Sequence, residues 1–193
     1  MQADWEFELG SGAPVIEARW SGFVDLRLDP GHVFRLPEAA QFPALGTVLL
    51  RLNAAASPVW TSKCDFFPSL APGEFDADEL DAPPASSVHA VACYIDLLPR
   101  SDQQWAVPGR IARECRALCA RLHAIPLRFC RVDLVIRRAL IAQDSNDLGI
   151  TAYLTGCGPT PADAASALGA ALAALADSIA PSGPAVESVK KLQ

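Results

Sequence analysis

The densest group of reactive side chains in this 193-residue sequence spans residues 57–65 and contains Trp60, Lys63, Cys64 and Asp65. An ammonium group beside a thiol favours the thiolate and lowers the cysteine pKa, and an indole ring stacks on planar ligands. Two interpretations follow. Either these four residues bind a ligand, with Cys64 as a candidate nucleophile, or the aromatic side chains fill the core while Lys63 and Asp65 face water.

A second candidate thiol is Cys157, which lies between Gly156 and Gly158 at the end of a predicted strand. A helix is predicted to start immediately afterwards, and the partial positive charge at a helix N-terminus stabilises a thiolate or a bound anion. No histidine base is near in sequence, however, and glycines at a strand-to-helix turn serve backbone geometry. Cys64 and Cys157 are the two candidate nucleophiles of a cysteine-dependent enzyme.

Eight arginines and only two acids lie within residues 110–138, in a chain whose net charge is −6. Arg113, Arg116 and Arg121 fall opposite the apolar stripe of a predicted helix and form a candidate surface for an acidic protein or a phosphate-bearing small molecule. The simpler interpretation is that this basic segment and the acidic residues 74–81 partly neutralise each other or lie on separate solvated faces.

Three aspartates interrupt apolar, strand-like runs. Carboxylates on neighbouring strands bind metals or share protons in some proteins, but buried acids are seldom left without a partner, so pairing with nearby arginines is the expectation. The aspartates are Asp25, Asp96 and Asp133, and the arginines nearest to them in sequence are Arg27, Arg100 and Arg131.

Several functional classes are excluded or disfavoured by composition. The acidic chain argues against nucleic-acid binding, and no apolar run approaches the ~20 residues of a membrane span. The three histidines and six cysteines lack metal-ligand spacing, so neither a metal nor a cofactor is expected. No secretory signal is visible, and cysteines within apolar patterns are typical of reduced thiols, as in a bacterial cytoplasmic protein.

The elements that must position these groups fall into two halves joined by residues 68–87. This joining segment contains four prolines and five acids and is predicted to form an exposed acidic loop. Residues 1–67 are predicted to be rich in β-structure. In this half we expect strands at 5–9 and 47–53, a helical turn at 37–42 and an irregular stretch at 54–67.

The second half, residues 88–180, is predicted to have the order β-α-β-β-α. Strands are expected at 88–98, 128–141 and 148–155, and helices at 108–123 and from Pro161 to about residue 179. Thr160 and Asp163 are placed to cap the second helix. The predicted buried stripes are Ile111, Cys115, Leu118 and Leu122 on the first helix and Leu168, Leu172, Leu175 and Ile179 on the second. Residues 181–193 are expected to form a loose tail.

This order matches five of the six elements of a ferredoxin-like unit, whose last strand would come from the first half. We therefore predict one α+β domain over residues 1–180, a two-layer sandwich in which two main helices lie on one face of a mostly antiparallel sheet. The expected function is a non-catalytic binding or accessory module for an anionic small molecule or an acidic protein. The alternative is a small cysteine-dependent enzyme acting on a small molecule. A homodimer is left open.

Overall fold

A computed structural model describes residues 1–20, 22–100, 107–141 and 147–179, so the predicted tail at 181–193 lies outside the described residues. The protein is a mixed α+β structure. Its elements are β1 (Gln2–Glu8), β2 (Ile16–Glu17), α1 (Pro37–Gln41), α2 (Pro43–Asn53), β3 (Val59–Phe67), β4 (His89–Pro99), α3 (Pro108–His123), β5 (Cys130–Leu140), β6 (Asp147–Gly158) and α4 (Pro161–Ile179). Short 3-10 turns occupy Pro30–Arg35, Asp78–Leu80 and Ala85–Ser87.

The six strands form one sheet in the order β1-β5-β6-β4-β3, with β2 pairing beside β1 along β5. The pairs β3–β4, β4–β6 and β5–β6 are antiparallel, whereas β1 and β2 run parallel to β5. Both edge strands therefore come from the first half of the chain. The prediction of one continuous, mostly antiparallel sheet is confirmed.

The main core joins side chains of the strands with side chains of α2, α3 and α4. Alternate side chains of the strands, such as Ile95, Leu134 and Leu154, are fully buried against the helices. The predicted helix stripes are confirmed except at the end of α4: Ile111 and Leu172 are completely buried, whereas Ile179 is only partly buried. By length and composition α4 would also pass as a membrane span, but its leucines pack in this core. Burial of a leucine-sized side chain contributes about 1.5–3 kcal/mol, so these stripes hold the helices in place.

Helix α4 approaches β6 very closely because β6 ends in glycines. A Cβ atom built on Gly156 would lie 2.4 Å from the backbone nitrogen of Leu168, and one on Gly158 would lie 2.5 Å from the Cβ of Asp163. The helix begins as predicted, since the Asp163 N–H donates to Thr160 Oγ1 and the Thr160 hydroxyl donates to the Asp163 carboxylate. The two glycines thus serve helix–sheet packing.

On the other side of the strands, the described residues form an apolar cluster at each end. At one end Ile16, Trp60 and Leu98 form a small apolar cluster, and at the other end Leu80 of the acidic loop packs on Ala90 and Cys157. Between these clusters lies a polar region that we call the open sheet face. It carries the side chains of Asp65, Tyr94, Asp96, Asp133, Thr151 and Tyr153.

The predicted strand at 47–53 is wrong, because these residues belong to helix α2. The run from Thr47 to Leu52 is almost continuously apolar, and such a run fits a buried strand as well as a buried helix. The helical spacing extends further back, to Leu45, which is buried together with Leu49 and Leu52. Pro43 at the first helical position is the start signal that resolves the ambiguity. The helical turn predicted at 37–42 is confirmed as α1.

The irregular stretch predicted at 54–67 is also wrong in part, because residues 59–67 form strand β3. The pairing of β3 with β4 shifts register between Thr61 and Cys64, so that an extra residue interrupts the alternation of side chains. A β-bulge of this kind is common on edge strands and obscures the period of two on which strand prediction depends.

We expect Gly156→Ala to destabilise the fold, because the added methyl group meets backbone atoms of α4 that cannot move independently. The expected cost is about 1–3 kcal/mol, seen as a melting temperature lower by roughly 3–10 °C in thermal unfolding followed by circular dichroism. Gly73→Ala is the control, since a Cβ there meets no atom within 4 Å. Equal melting temperatures for both variants would show that the close approach is not required.

Candidate functional site

A row of polar and aromatic side chains crosses the open sheet face at right angles to the strands. The strand register places Asp4, Asp133, Tyr153, Tyr94 and Asp65 side by side on five successive strands. The two tyrosines, the only ones in the sequence, have ring centroids 5.9 Å apart. The sheet therefore presents a central aromatic pair that is flanked by carboxylates on both sides.

The neighbouring row contains a nearly buried carboxylate. Asp96 is only 6% exposed, and its Oδ1 accepts a hydrogen bond of 2.6 Å from the Thr151 hydroxyl. Arg137 donates to the Thr151 and Tyr153 hydroxyl oxygens, and its Nε donates to Glu8 at 2.9 Å. Burial raises the pKa of Asp96, and the opposing effects of Thr151 and Arg137 do not cancel it. Burial thus shifts the protonation equilibrium of Asp96 towards the neutral carboxyl, relative to an aspartate in water.

Two of the three predicted aspartate–arginine pairs are present. Arg27 contacts Asp25 at 2.6 Å and Arg131 contacts Asp133 at 2.8 Å. The third prediction is wrong: Asp96 is hydrogen-bonded to Thr151, while Arg100 donates to backbone carbonyl oxygens at the end of α2 and the following loop, those of Asn53, Ala54 and Ser57. Arg100 follows strand β4 and so extends beyond the sheet, away from the interior position of Asp96.

The basic and acidic segments meet at one point. Arg131 on β5 contacts Glu79 of the acidic loop at 3.2 Å, in addition to Asp133. This contact agrees with the expectation that the two segments partly neutralise each other. Its contribution to stability is about 0–1 kcal/mol, since the Glu79 side chain is half exposed.

A cleft of about 290 Å³ lies beside the edge strand β3, and we call it the β3 cleft. Residues 61–64 of β3 form one wall, and the opposite walls come from Trp20, Gly22, Val24 and Leu26, from residues 36–38 and from α2. The lining side chains include Trp20, Val24, Leu26, Leu36, Glu38, Leu49, Lys63, Cys64 and Tyr94. Tyr94 thus connects this cleft to the open sheet face.

The β-bulge in β3 shapes this wall. Asn53 at the end of α2 holds the start of the bulge: its Oδ1 accepts from the Thr61 N–H at 3.1 Å and its Nδ2 donates to Thr61 Oγ1 at 2.7 Å. After the bulge, the Lys63 ammonium contacts Glu17 at 3.0 Å and lies 5.1 Å from the centre of the Trp20 ring. The local geometry therefore directs a lysine onto an aromatic ring and a carboxylate of the N-terminal segment.

The residues singled out in segment 57–65 separate into two groups. Lys63 and Cys64 line the β3 cleft, and Asp65 lies next to Tyr94 on the open sheet face. Trp60, in contrast, is only 3% exposed. Its indole N–H donates to the carbonyl of Pro99, and the Arg27 guanidinium lies 3.8 Å from the centre of its ring. Trp60 is a core side chain and has no free face for stacking on a ligand.

The expected activation of Cys64 by Lys63 is wrong. Burial, and to a smaller extent the carboxylates of Glu38, Asp65 and Asp96, raise the pKa of the Cys64 thiol to about 12. The Lys63 ammonium is already neutralised by Glu17, so its effect on the neighbouring thiol is weak.

Cys157 is also a poor nucleophile. It is 1% exposed beneath the acidic loop, and burial raises its pKa. Its side chain packs with Leu80 and Ala90. All six cysteines are free thiols, five of them buried.

The arginine residues of α3 lie apart from these sites. Arg113 is exposed, Arg116 lies 5.6 Å from the centre of the Trp5 ring, and the Arg121 Nε donates to the carbonyl of Ser178 at 3.1 Å. Among the described residues, none of these three guanidinium groups has a carboxylate within 4.0 Å. The exposed arginine side of the predicted helix is confirmed, and we call it the α3 arginine surface.

Three lining residues of the β3 cleft were missed at the sequence level: Trp20, Glu38 and Tyr94. Alternation along β4 could have found Tyr94, because Tyr94 and Asp96 are two apart and so share one face of the sheet. Trp20 lies in an irregular segment and Glu38 in the short helix α1, and no periodic signal predicts that either residue reaches the cleft.

Within the described ranges, no group of three or more His, Cys, Asp or Glu side chains is placed to hold a metal ion. Comparisons with protein-family models, with curated proteins and with solved structures find no match to this chain.

We expect Asp96→Asn to stabilise the protein at pH 7, because the amide keeps an acceptor for Thr151 and removes the cost of a buried charge. Since burial raises the folded-state pKa, this cost is fully present above that pKa and disappears as the pH falls towards the ordinary value of 3.8. The melting temperature should rise by roughly 2–4 °C at pH 7, the shift that about 1 kcal/mol produces, and by less at pH 5.

Glu6→Gln on the exposed side of β1 is the matched control and should leave the melting temperature unchanged at both pH values. A lower melting temperature for Asp96→Asn at pH 7 would show that the ionised carboxylate is favoured in the folded state.

Proposed function

We propose that the protein is a non-catalytic binding module and that an acidic protein partner docks on the α3 arginine surface. The observation that carries the proposal is the pair Arg113 and Arg116, one helical turn apart, exposed and without a carboxylate partner among the described residues. Like charges three residues apart on a helix repel each other by a few tenths of a kcal/mol. A partner that supplies carboxylates or phosphates relieves this repulsion, which favours complex formation.

The charge distribution of the rest of the chain supports a local mode of binding. With a net charge of −6, the protein as a whole repels an acidic partner, so attraction must come from a restricted surface. A charged surface of this kind orients the partner and selects it over other proteins, and contributes less to the affinity of the complex. Arg121 is partly engaged by the Ser178 carbonyl, so Arg113 and Arg116 form the centre of the surface.

We also propose that the sheet and the helices form a ferredoxin-like two-layer unit in which β3 takes the place of the last strand. In support, β4, α3, β5, β6 and α4 follow one another in the chain, β6 lies between β4 and β5, and β3 pairs beside β4. Contacts of α4 with β4, β5 and β6, and of α2 and α3 with α4, support placing the helices on one face. The free thiols support a reducing, cytoplasmic location.

The test is binding of a fluorescein-labelled polyglutamate peptide to the full-length protein, measured by fluorescence anisotropy at two salt concentrations. We expect Arg113→Glu/Arg116→Glu to weaken binding at least tenfold while leaving the melting temperature within about 3 °C. The control is Arg35→Glu/Arg128→Glu, two exposed arginines elsewhere that change the net charge equally. Equal losses in both double variants would show that only net charge matters and would refute the α3 arginine surface.

The alternative function, a cysteine-dependent enzyme, has less support, because burial raises the pKa of both Cys64 and Cys157. We expect every thiol of the native protein to react with iodoacetamide more slowly than free cysteine between pH 7 and 9, as followed by mass spectrometry of the alkylated peptides. Alkylation in denaturant controls for accessibility. A native thiol with an apparent pKa well below ~8.5 would reverse this ranking of the two functions.

A further inference from the structure

We propose that the β3 cleft binds a small organic amine, whose apolar body lies against Val24, Leu36 and Leu49 and whose ammonium group contacts Glu38. This site is separate from the α3 arginine surface, and its ligand has the opposite charge. Three features of the cleft lead to this assignment: its size, the nature of its walls and the balance of charge around it.

The size of the cleft limits the ligand. At about 290 Å³, it lies at the lower end of the range of small-molecule pockets. It therefore accommodates one aromatic or aliphatic group with a short polar arm and has no room for a nucleotide. Apolar side chains of the core cluster form part of the wall, so an apolar group that enters the cleft loses part of its contact with water.

The charge around the cleft favours a cation. Glu38 lines the cleft, and Glu17 lies beside it in contact with Lys63. The carboxylates of Glu38, Asp65 and Asp96 all act to raise the pKa of the Cys64 thiol in the wall, which indicates a negative potential there. Lys63 is the only cationic residue among the lining residues, and Glu17 neutralises it. An anionic ligand would meet repulsion from these groups.

The cleft already holds one ammonium group of the chain itself. The Lys63 Nζ lies 5.1 Å from the centre of the Trp20 ring and 3.0 Å from Glu17, so it combines a cation–π contact with an ion pair. This arrangement of an aromatic ring and a carboxylate is how proteins recognise alkylammonium ligands. Glu38 and Tyr94 also line the cleft, so a second carboxylate and a second aromatic ring are present for an external amine.

The test uses three probes of similar shape and different charge: phenethylamine, 2-phenylethanol and 3-phenylpropionate. Each is titrated into the ¹⁵N-labelled full-length protein, and the shifts of backbone amides in residues 61–64 and of the Trp20 indole are followed by NMR. We expect saturable shifts for the amine, at least fivefold weaker binding of the alcohol and no binding of the carboxylate. Tighter binding of the carboxylate, or no saturable shift with amine up to 20 mM, would overturn the proposal.

Two variants separate the charge of the site from its shape. Glu38→Gln should weaken amine binding at least fivefold, whereas Glu6→Gln on the distant β1 edge should not change it. Lys63→Met should strengthen amine binding several-fold, because it removes the competing ammonium and frees Trp20 and Glu17, while keeping a long unbranched side chain. A loss of amine binding in Lys63→Met with the melting temperature unchanged would contradict the cation assignment.

Failure of this proposal is distinguishable from failure of the proposed function. The polyglutamate experiment probes α3, and neither Glu38→Gln nor Lys63→Met alters an α3 residue. If polyglutamate binding depends on Arg113 and Arg116 while amines do not bind, the binding module stands and the amine site is rejected.

Discussion

The rest of the structure depends on the close contact between α4 and strand β6. Because Gly156 and Gly158 carry no side chains, the helix backbone comes within contact distance of the strand, and the leucines on either side fill the space that remains. This contact determines which face of β6 is buried. Since strand side chains alternate, it also places Thr151 and Tyr153 on the opposite face. The polar row on the open sheet face is thus a consequence of helix packing on the other side.

Hydrogen bonds on the open sheet face reduce the free-energy cost of its buried polar groups. Burying a charged carboxylate such as Asp96 costs free energy. The Thr151 hydroxyl and the Arg137 guanidinium reduce this cost. Arg137 is in turn hydrogen-bonded to Glu8 on the edge strand. The network therefore links β4, β6, β5 and β1 through hydrogen bonds across the sheet. Networks of this kind stabilise one strand register, because a shift by one residue would bury every member without a partner.

The elements that the sequence could predict are those in which apolar residues recur with a regular helical or strand period. Helices α3 and α4 and strands β4, β5 and β6 have long, regular patterns with clear caps, and their existence and pairing followed from those patterns. Helix α2 was misassigned because a short apolar run fits a strand as well as a helix, and β3 because a bulge between Thr61 and Cys64 breaks its alternation. Of the candidate site, Lys63 and Cys64 were found by residue type. Trp20, in an irregular segment, and Glu38, in α1, were not, because they reach the cleft through long-range packing.

The two proposed binding sites have opposite charge, and the fold explains why they do not interfere. The α3 arginine surface lies on the solvent side of a helix that packs on β1 and β5, whereas the β3 cleft lies at the other edge of the sheet, beyond β6 and β4. Several strand spacings of about 4.8 Å separate them, which exceeds the ~8 Å Debye length at physiological salt. Arginines near the acidic row are instead engaged within the fold, as Arg131 is by Asp133 and Glu79. A chain with net negative charge can therefore present a cationic surface to one partner and an anionic cleft to another ligand, each with its own electrostatic field.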